Sequence, residues 1–312
     1  MKFLKEMIQR IALTYLCNLD CDYCYTKSFN KYPKFIKIEH FKKIISKLKP
    51  KRIFLLGGEP TIHPQFNDIL NILYHYKKKA TLATNCLFDS SKFNEKFSKV
   101  IDVCTINPQV ILSNNKRRLK KFNRNIIFLK NNVKEICLVY TYLNGSFNRK
   151  IFNFCDKHNI KKITFSPALP DKDIGNSYFS LKKDMGIGKK IFNFVRFSNS
   201  KGISVFLISA LPFCIFTSQQ RKYLIKYAGL HFTCSCGVGV IHPFLSISPC
   251  PFLYFSGPKY NKFNNIKEVK KYFKKTIDKL KWEKTLFNDC KECLLFFKKV
   301  CQGACLNYKT KL

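Results

Sequence analysis

No stretch of this 312-residue sequence is apolar for long enough to cross a bilayer. The densest, Gly202 to Phe216, is short and is interrupted by Pro212. The N-terminus, Met1 to Arg10, carries a few charges, and the apolar residues after it run straight into a cysteine cluster with no small-residue cleavage site. No signal peptide is read, and the expectation is a cytoplasmic protein with no membrane partner. Acidic residues are scarce: 19 stand against 57 basic ones, a formal net charge of +38. Arginine is scarce too, lysine outnumbering it about sixfold. A nucleic-acid footprint tends to be clustered and to use arginine for bidentate contacts. Here the lysines are scattered, as at Lys42-Lys43, Lys161-Lys162, Lys270-Lys271 and Lys298-Lys299, beside heavy use of Phe, Ile and Asn, whose codons are AT-rich. Composition accounts for the charge better than a nucleic-acid partner does. No internal repeat, low-complexity tract, Arg-rich segment or appended nucleic-acid module is present.

What is present is a globular chain, 46% hydrophobic, with room for one large domain and one small one. Its 15 cysteines exceed what a reducing compartment needs as small hydrophobes, so clusters of them imply metal or catalysis before disulfides. They fall into three sets. Cys17, Cys21 and Cys24 are close together. Cys86, Cys104, Cys137 and Cys155 are isolated and read mainly as core, Cys86 and Cys104 with room for a role at a site. Cys214, Cys234, Cys236, Cys250, Cys290, Cys293, Cys301 and Cys305 crowd the C-terminal third.

Hydrophobic periodicity predicts strands at Arg10–Thr14, Arg52–Leu56, Thr81–Ala83, Val100–Ile106, Glu135–Tyr142 (stopped by Asn144-Gly145) and Lys162–Phe165 (stopped by Pro167). Helices are predicted at Phe41–Leu48, Phe66–Tyr76, Lys116–Lys130, Phe147–His158 and Lys182–Phe197. Six strand–helix alternations imply an α/β fold with a parallel sheet, a partial (β/α)6 TIM-like barrel over residues 1–200. Residues 201–312 are expected to form a small cysteine-rich domain, with a hairpin at Val240–Ile247 and a basic amphipathic helix at Ile266–Leu280. In such barrels chemistry sits at the C-terminal ends of the strands. The cysteine triplet follows strand one, Gly57–Pro60 follows strand two, and Thr84-Asn85 ends strand three.

Cys17-x3-Cys21-x2-Cys24 places three thiolates on one tight loop. These can take three corners of a [4Fe-4S] cube and leave one iron without a protein ligand. A structural zinc would want a fourth ligand, and the nearest candidate, His40, opens a predicted helix.

The run Leu13-Thr14-Tyr15-Leu16-Cys17-Asn18-Leu19-Asp20-Cys21-Asp22-Tyr23-Cys24-Tyr25 resembles the signature of the radical S-adenosylmethionine (SAM) superfamily. Leu56-Gly57-Gly58-Glu59-Pro60-Thr61 resembles that family's Gly-Gly-Glu-Pro motif. The resemblance implies that Cys17, Cys21 and Cys24 hold a catalytic [4Fe-4S] cluster with an open iron. That iron would chelate SAM, whose reductive cleavage gives methionine and a 5′-deoxyadenosyl radical that abstracts hydrogen from a substrate. Gly57 and Gly58 would let the backbone approach the methionine moiety. Glu59 and its neighbours, Pro60 included, would receive the amino group, and the backbone of Tyr23 would face the adenine. Thr84-Asn85-Cys86 stands where the family often has Thr-Asn-Gly. Thr105-Ile106-Asn107 stands where it often has Ser-x-Asp, so Asn85 and Thr105 join the expected SAM contacts.

The C-terminal cysteines resemble the SPASM/Twitch extension, which binds auxiliary [4Fe-4S] clusters. Ser248-Pro249-Cys250 matches its Pro-Cys element, and Cys290-x2-Cys293-x7-Cys301-x3-Cys305 its cysteine block. The block's middle gap is seven instead of five, Leu245 replaces a glycine expected before Cys250, and the family's final cysteine has no counterpart before Leu312. The resemblance implies one auxiliary cluster, with Cys250 and Cys305 meeting one or both of Cys234 and Cys236 and with Cys214 as a further candidate in that set. Cys290, Cys293 and Cys301 would form a second, incomplete set to which Cys214 or Cys236 could add a ligand. Zinc is the alternative metal. The resemblance further implies a peptide or protein substrate and an electron donor such as ferredoxin or flavodoxin. Radical modification of RNA or a small molecule is the alternative, and a non-catalytic metal scaffold a third reading.

Overall fold

The computed structural model describes residues 8–29, 32–113, 115–143, 147–168, 186–234, 239–251, 253, 257–283 and 285–310. Cys236, the Asn144-Gly145 stop and the first residues of the helix expected from Lys182 lie outside them. The chain gathers into two compact units, each discontinuous in sequence. One is Met1–Ile136 with Cys236–Lys275, and the other is Cys137–Ser235 with Thr276–Leu312.

In the first unit, β1 (Ile8–Thr14), α1 (Ile38–Leu48), β2 (Arg52–Gly57), α2 (Phe66–His75), β3 (Lys79–Thr84), α3 (Lys96–Val100), β4 (Ile101–Ile106), α4 (Gln109–Leu112) and α5 (Lys116–Asn132) follow one another. β1 pairs with β2, β2 with β3 and β3 with β4, all in parallel. The helices form because their apolar residues recur at helical spacing. α1 buries Phe41, Ile44, Ile45 and Leu48, and α2 buries Phe66, Ile69, Leu70 and Leu73. α1 stops where Lys49 turns left-handed (φ 44°) before Pro50. The Asn115 side chain opens α5 by accepting from the Arg118 N–H at 2.9 Å.

The division between units falls inside β5 (Glu135–Tyr142). In the second unit β5 pairs with β6 (Lys162–Pro167), and β6 with β7 (Ser204–Leu207), again in parallel. The helices α6 (Arg149–His158), α7 (Ile187–Ser200) and α8 (Ser218–Ala228) intervene or follow. Strand–helix alternation thus continues past the sixth strand, which the sequence reading did not anticipate. β7 is four residues within a longer apolar stretch, too short for its periodicity to stand out. β6 also runs two residues past its expected end at Phe165, taking in Pro167, the expected stop. The hairpin β8 (Val240–Ile241) and β9 (Ile247–Ser248) returns to the first unit, β8 pairing in parallel with β1. The basic helix α9 (Ile266–Glu283) and the short helices α10 (Leu294–Phe297) and α11 (Leu306–Thr310) complete the described chain. The fold is α/β, with parallel strands and crossover helices of the partial TIM-like barrel kind.

At the N-terminal ends of the first unit's strands, Arg52 on β2 donates twice to the Asp102 carboxylate on β4, at 3.0 and 2.5 Å. Both side chains are nearly buried, at 13% and 10% exposure, so removing one partner strands the other charge out of water. Asp102→Ala is expected to destabilise the protein by about 3–5 kcal/mol in urea unfolding. A change below about 1 kcal/mol would assign the pair to the class of solvent-screened surface bridges.

Candidate iron-sulfur and SAM site

The C-terminal ends of β1 and β2 meet through glycine. Gly57 has φ +141°, and a Cβ added there would lie 2.0 Å from the Thr14 carbonyl oxygen. At Gly58 the added atom would lie 2.1 Å from the Leu16 carbonyl oxygen. The space goes to two backbone bonds: Gly58 N–H donates to Thr14 O and Glu59 N–H to Leu16 O, both at 2.8 Å. The glycine pair therefore docks the start of the cysteine loop onto β2.

Glu59 follows at 0% exposure. One carboxylate oxygen accepts from the Thr61 N–H (3.2 Å) and hydroxyl (2.6 Å), and the other from the Asn85 N–H (2.7 Å). The Thr84 hydroxyl reaches both, at 2.9 and 3.1 Å. Burial raises the Glu59 pKa more than these bonds lower it. A carboxyl whose folded pKa is raised favours folding in its protonated form. Its contribution therefore falls as pH climbs from the unfolded value through the folded one. Glu59 ties the end of β2 to the end of β3, and Pro60 opens the short turn that Glu59 caps.

Asn85 carries the tie onward. Its side-chain amide donates to Asn18 Oδ1 at 2.6 Å and reaches Cys17 Sγ at 3.5 Å, while its carbonyl accepts from Leu87 N–H at 2.9 Å. Cys17 Sγ also faces the Leu19 N–H at 3.4 Å. Cys86 adopts φ +62°, the left-handed conformation a glycine would take with less strain. Its N–H is held by Thr84 Oγ1 at 2.9 Å and its carbonyl by Asn125 Nδ2 at 3.0 Å. The turn expected of Thr-Asn-Gly thus forms with cysteine in it. Cys86 and Cys104 are both fully buried, as are Cys137 and Cys155 nearly so, in keeping with core positions.

The three loop thiols lie near one another. Burial raises Cys21 to about 12, the charges of Cys24 and Cys17 adding to it, and burial likewise leads the rise at Cys17. Among the described residues no three His, Cys, Asp or Glu side chains gather closely enough to hold a single metal ion. Thiolates on a [4Fe-4S] cube bind separate irons, so they stand wider apart than the ligands of one ion. Three mutually close thiols on one loop fit such a cluster, and loading it must displace their protons.

Around the loop, the Tyr23 hydroxyl meets the Asn107 side chain at 3.2–3.3 Å, so Asn107 serves the cysteine loop. Thr105 Oγ1 is buried and finds no hydrogen-bond partner among the described residues. Thr105 is paired with Ala83, which packs against the cluster of Ala12, Tyr15, Phe29, Leu56 and Val240. An orphaned hydroxyl there suits the expected SAM contact, since a buried polar group without a partner costs about 1–3 kcal/mol.

His242 was not singled out from the sequence. It sits in the turn of the β8–β9 hairpin at 0% exposure. Tyr15 and His242 Nδ1 share a hydrogen bond, Nε2 meets Ser248 Oγ at 2.7 Å, and Ser248 donates to the Cys250 carbonyl at 3.0 Å. The chain of donors assigns the Nε2–H tautomer, and burial lowers the imidazole to about 3. Only a lone histidine next to Pro243 marked the position in the sequence. Leu245, where a glycine was expected, has φ +70° in the same turn. Tyr25 lies near both Cys24 and Cys250; burial first, then these two thiols, raises its phenol pKa. The first cysteine loop and the hairpin cysteine thus share a neighbour.

In the second unit, Gln302 is fully buried and accepts from the Cys234 N–H at 2.8 Å while donating to the Ala304 carbonyl at 2.7 Å. This ties Cys234 to the Cys301-Gln302-Gly303-Ala304-Cys305 run. Cys214 has Cys290, Cys301 and Cys293 as its thiol neighbours.

Residues 11–138 match the model of the radical SAM superfamily. SuiB of Streptococcus suis, solved with precursor peptide SuiA, superposes with a TM-score of 0.69 at 16% identity, covering 97% of this chain and 72% of that one. anSMEcpe with bound AdoMet superposes with a TM-score of 0.68 at 16% identity, covering 98% and 92%. At that identity the likeness is one of fold. A probable GTP 3′,8-cyclase of Pyrococcus horikoshii is 37% identical over 79 residues, 24% of this chain and 26% of that protein. The subtilosin biosynthesis protein AlbA of Bacillus subtilis is 36% identical over 76 residues, 23% and 17% of the two chains. The matched segment spans about a quarter or less of these curated relatives.

Gly58→Ala is expected to destabilise the protein by roughly 1–3 kcal/mol through the clash with the Leu16 carbonyl. It should also lower iron uptake by the first cysteine loop, read as iron content after anaerobic reconstitution. Unchanged iron and stability would show that the glycine does not dock the loop.

Proposed function

We propose that this protein is a radical SAM enzyme that modifies a peptide or protein. The observation that carries the reading is the first cysteine loop, docked on Gly57-Gly58 and tied through Asn85 to Glu59. Cys17, Cys21 and Cys24 are the cluster ligands. A cluster held by these cysteines would supply the electron for reductive cleavage of the SAM sulfonium to a 5′-deoxyadenosyl radical. The chain's own residues position and shield. Gly57, Gly58, Glu59 and Pro60 hold the loop against β2. Asn85 and the Leu19 N–H point donors at Cys17, and hydrogen bonds to cluster sulfurs help set the potential. Thr105 would offer its hydroxyl to SAM, and the backbone of Tyr23, whose hydroxyl is held by Asn107, would face the adenine.

Support for a peptide substrate comes from the fold likeness to SuiB, solved with a precursor peptide, and from the partial sequence likeness to AlbA. The functional division follows residues 1–200 as the SAM core and 201–312 as the auxiliary-cluster region. A small acidic electron carrier, ferredoxin or flavodoxin, suits the basic surface. Among the described residues no helix is long and apolar enough to cross a membrane, and the cytoplasm is the compartment we assign.

The RNA alternative gains little from the lysines. A cleft of about 710 Å³ is lined by Lys77, Lys78, Lys79, Lys96 and Lys99. It lies at the start of β3, the opposite strand end from Thr84 and Asn85. Nucleic acid held there would sit away from the cysteine loop.

Anaerobically reconstituted protein with dithionite should convert SAM to 5′-deoxyadenosine, and Cys21→Ala should fall to background. Equal cleavage by the variant would refute the assignment. Tight RNA binding that weakens steeply with salt would instead favour the nucleic-acid reading.

A further inference from the structure

The cysteine block Cys290–Cys305 was expected to leave Cys290, Cys293 and Cys301 one ligand short. The structure sets a fourth thiol beside them from a distant part of the chain. Cys214 lies in a single turn, Phe213–Ile215, between β7 and α8. That turn is fastened to the block by bonds that do not involve the thiols of Cys214, Cys290 or Cys293. Phe213 N–H donates to Cys301 Sγ at 3.4 Å. The Phe213 ring packs on Phe232 at 5.0 Å, and the Phe232 carbonyl accepts from the Gln302 N–H at 3.0 Å. Arg221 lies 3.9 Å from the Phe213 ring centroid and donates to the Phe213 carbonyl at 3.3 Å. On the other side, Cys293 N–H donates to the Cys290 carbonyl at 3.3 Å, closing the Cys290–Cys293 turn.

Two features point to a metal. Cys301 Sγ faces two backbone N–H groups, of Phe213 and of Gly303, each at 3.4 Å. A neutral thiol is a weak acceptor, whereas a metal-bound thiolate is stabilised by such donors. Secondly, burial leads the rise in the thiol pKa of both Cys214 and Cys301, and the charges that add to it come from neighbouring thiols: Cys290, Cys301 and Cys293 on Cys214, and Cys290 and Cys293 on Cys301. Four thiols in one neighbourhood, one of them facing two backbone donors, make a site for a cation.

We infer that Cys214, Cys290, Cys293 and Cys301 together hold one auxiliary iron-sulfur cluster, the fourth ligand coming from the β7–α8 connection. This rests on the reading of the chain as an iron-sulfur enzyme and assigns ligands that reading leaves open. Four protein thiolates close the cluster, so it offers no iron to a substrate; by the logic that separates closed from open metal sites, its work is structural or electron-transferring. Cys234 is tied through Gln302 to the Ala304 carbonyl, and neither it nor Cys305 is assigned to this cluster.

The test uses the full chain with Cys17, Cys21 and Cys24 all changed to Ala, so that the iron counted excludes the first loop. Adding Cys214→Ala should remove about four irons per chain, as should Cys293→Ala, and the two together should remove no more than either alone. Cys104→Ala should remove none. A second measurement avoids variants that fold poorly. In wild-type protein Cys214 is an exposed residue, yet iodoacetamide should leave it unmodified until the iron is removed, with Cys290, Cys293 and Cys301 released alongside it. Cys214 alkylated equally fast before and after iron removal, unchanged iron in Cys214→Ala, or zinc in place of the lost iron would each overturn the inference. None of these readouts involves SAM, so failure to cleave SAM would count against the proposed activity and leave this site standing.

Discussion

A buried carboxylate organises the site. Glu59 sits at 0% exposure where β2 ends, and its oxygens gather donors from its own turn and from the end of β3. Hydrogen bonds to a charged group are worth about 1.5–3 kcal/mol each, and losing one strands a buried partner. Burial nonetheless keeps the Glu59 pKa raised, so the ionised residue is a cost to the fold at neutral pH. The cost secures geometry. Through the Asn85 backbone the carboxylate fixes the Asn85 side chain, and through that amide it fixes Asn18 and Cys17. The glycine pair before Glu59 docks the same loop from the other side. Strand ends, a glycine contact and one carboxylate therefore converge on three cysteines that no strand or helix holds directly.

The same economy appears where expected glycines are missing. Cys86 and Leu245 both stand in the left-handed region, at φ +62° and +70°. A non-glycine residue there costs roughly 1–2 kcal/mol. Around Cys86 the opposing terms are visible: bonds from Thr84 and Asn125 fix its backbone, and its side chain is fully buried. Around Leu245, its N–H donates to the His242 carbonyl at 2.8 Å, and His242 is itself bonded through both ring nitrogens. Turn geometry is held by surrounding bonds where the residue alone would not choose it.

Much of the first unit was legible in the sequence because its signals are local. The apolar spacing of Phe41, Ile44, Ile45 and Leu48 defines α1, and Gly57-Gly58 marks the end of β2. Both are read from neighbours a few residues apart. β7 was missed because four residues, one of them Ser204, are too few to show a period, and their identity as a strand comes from pairing with β6. At the site, the ligand-type residues were visible by spacing. Their partners were not: Asn107 serves Tyr23, His242 joins Tyr15 to the Cys250 hairpin, and Cys214 approaches a block far along the chain. These relations depend on how distant segments meet, which no periodicity encodes. Where the expected glycines are absent, left-handed φ persists at Cys86 and Leu245 without them.

The central claim is that the first cysteine loop leaves one iron open for SAM. Its most direct test is electron paramagnetic resonance of the dithionite-reduced protein, recorded with and without SAM, in a background where Cys293→Ala and Cys250→Ala silence the C-terminal sites. The account predicts a reduced [4Fe-4S] signal whose shape and g values change when SAM is added, because SAM takes the position no cysteine fills. A signal that SAM leaves unaltered would mean that the iron is closed, and the account would fail.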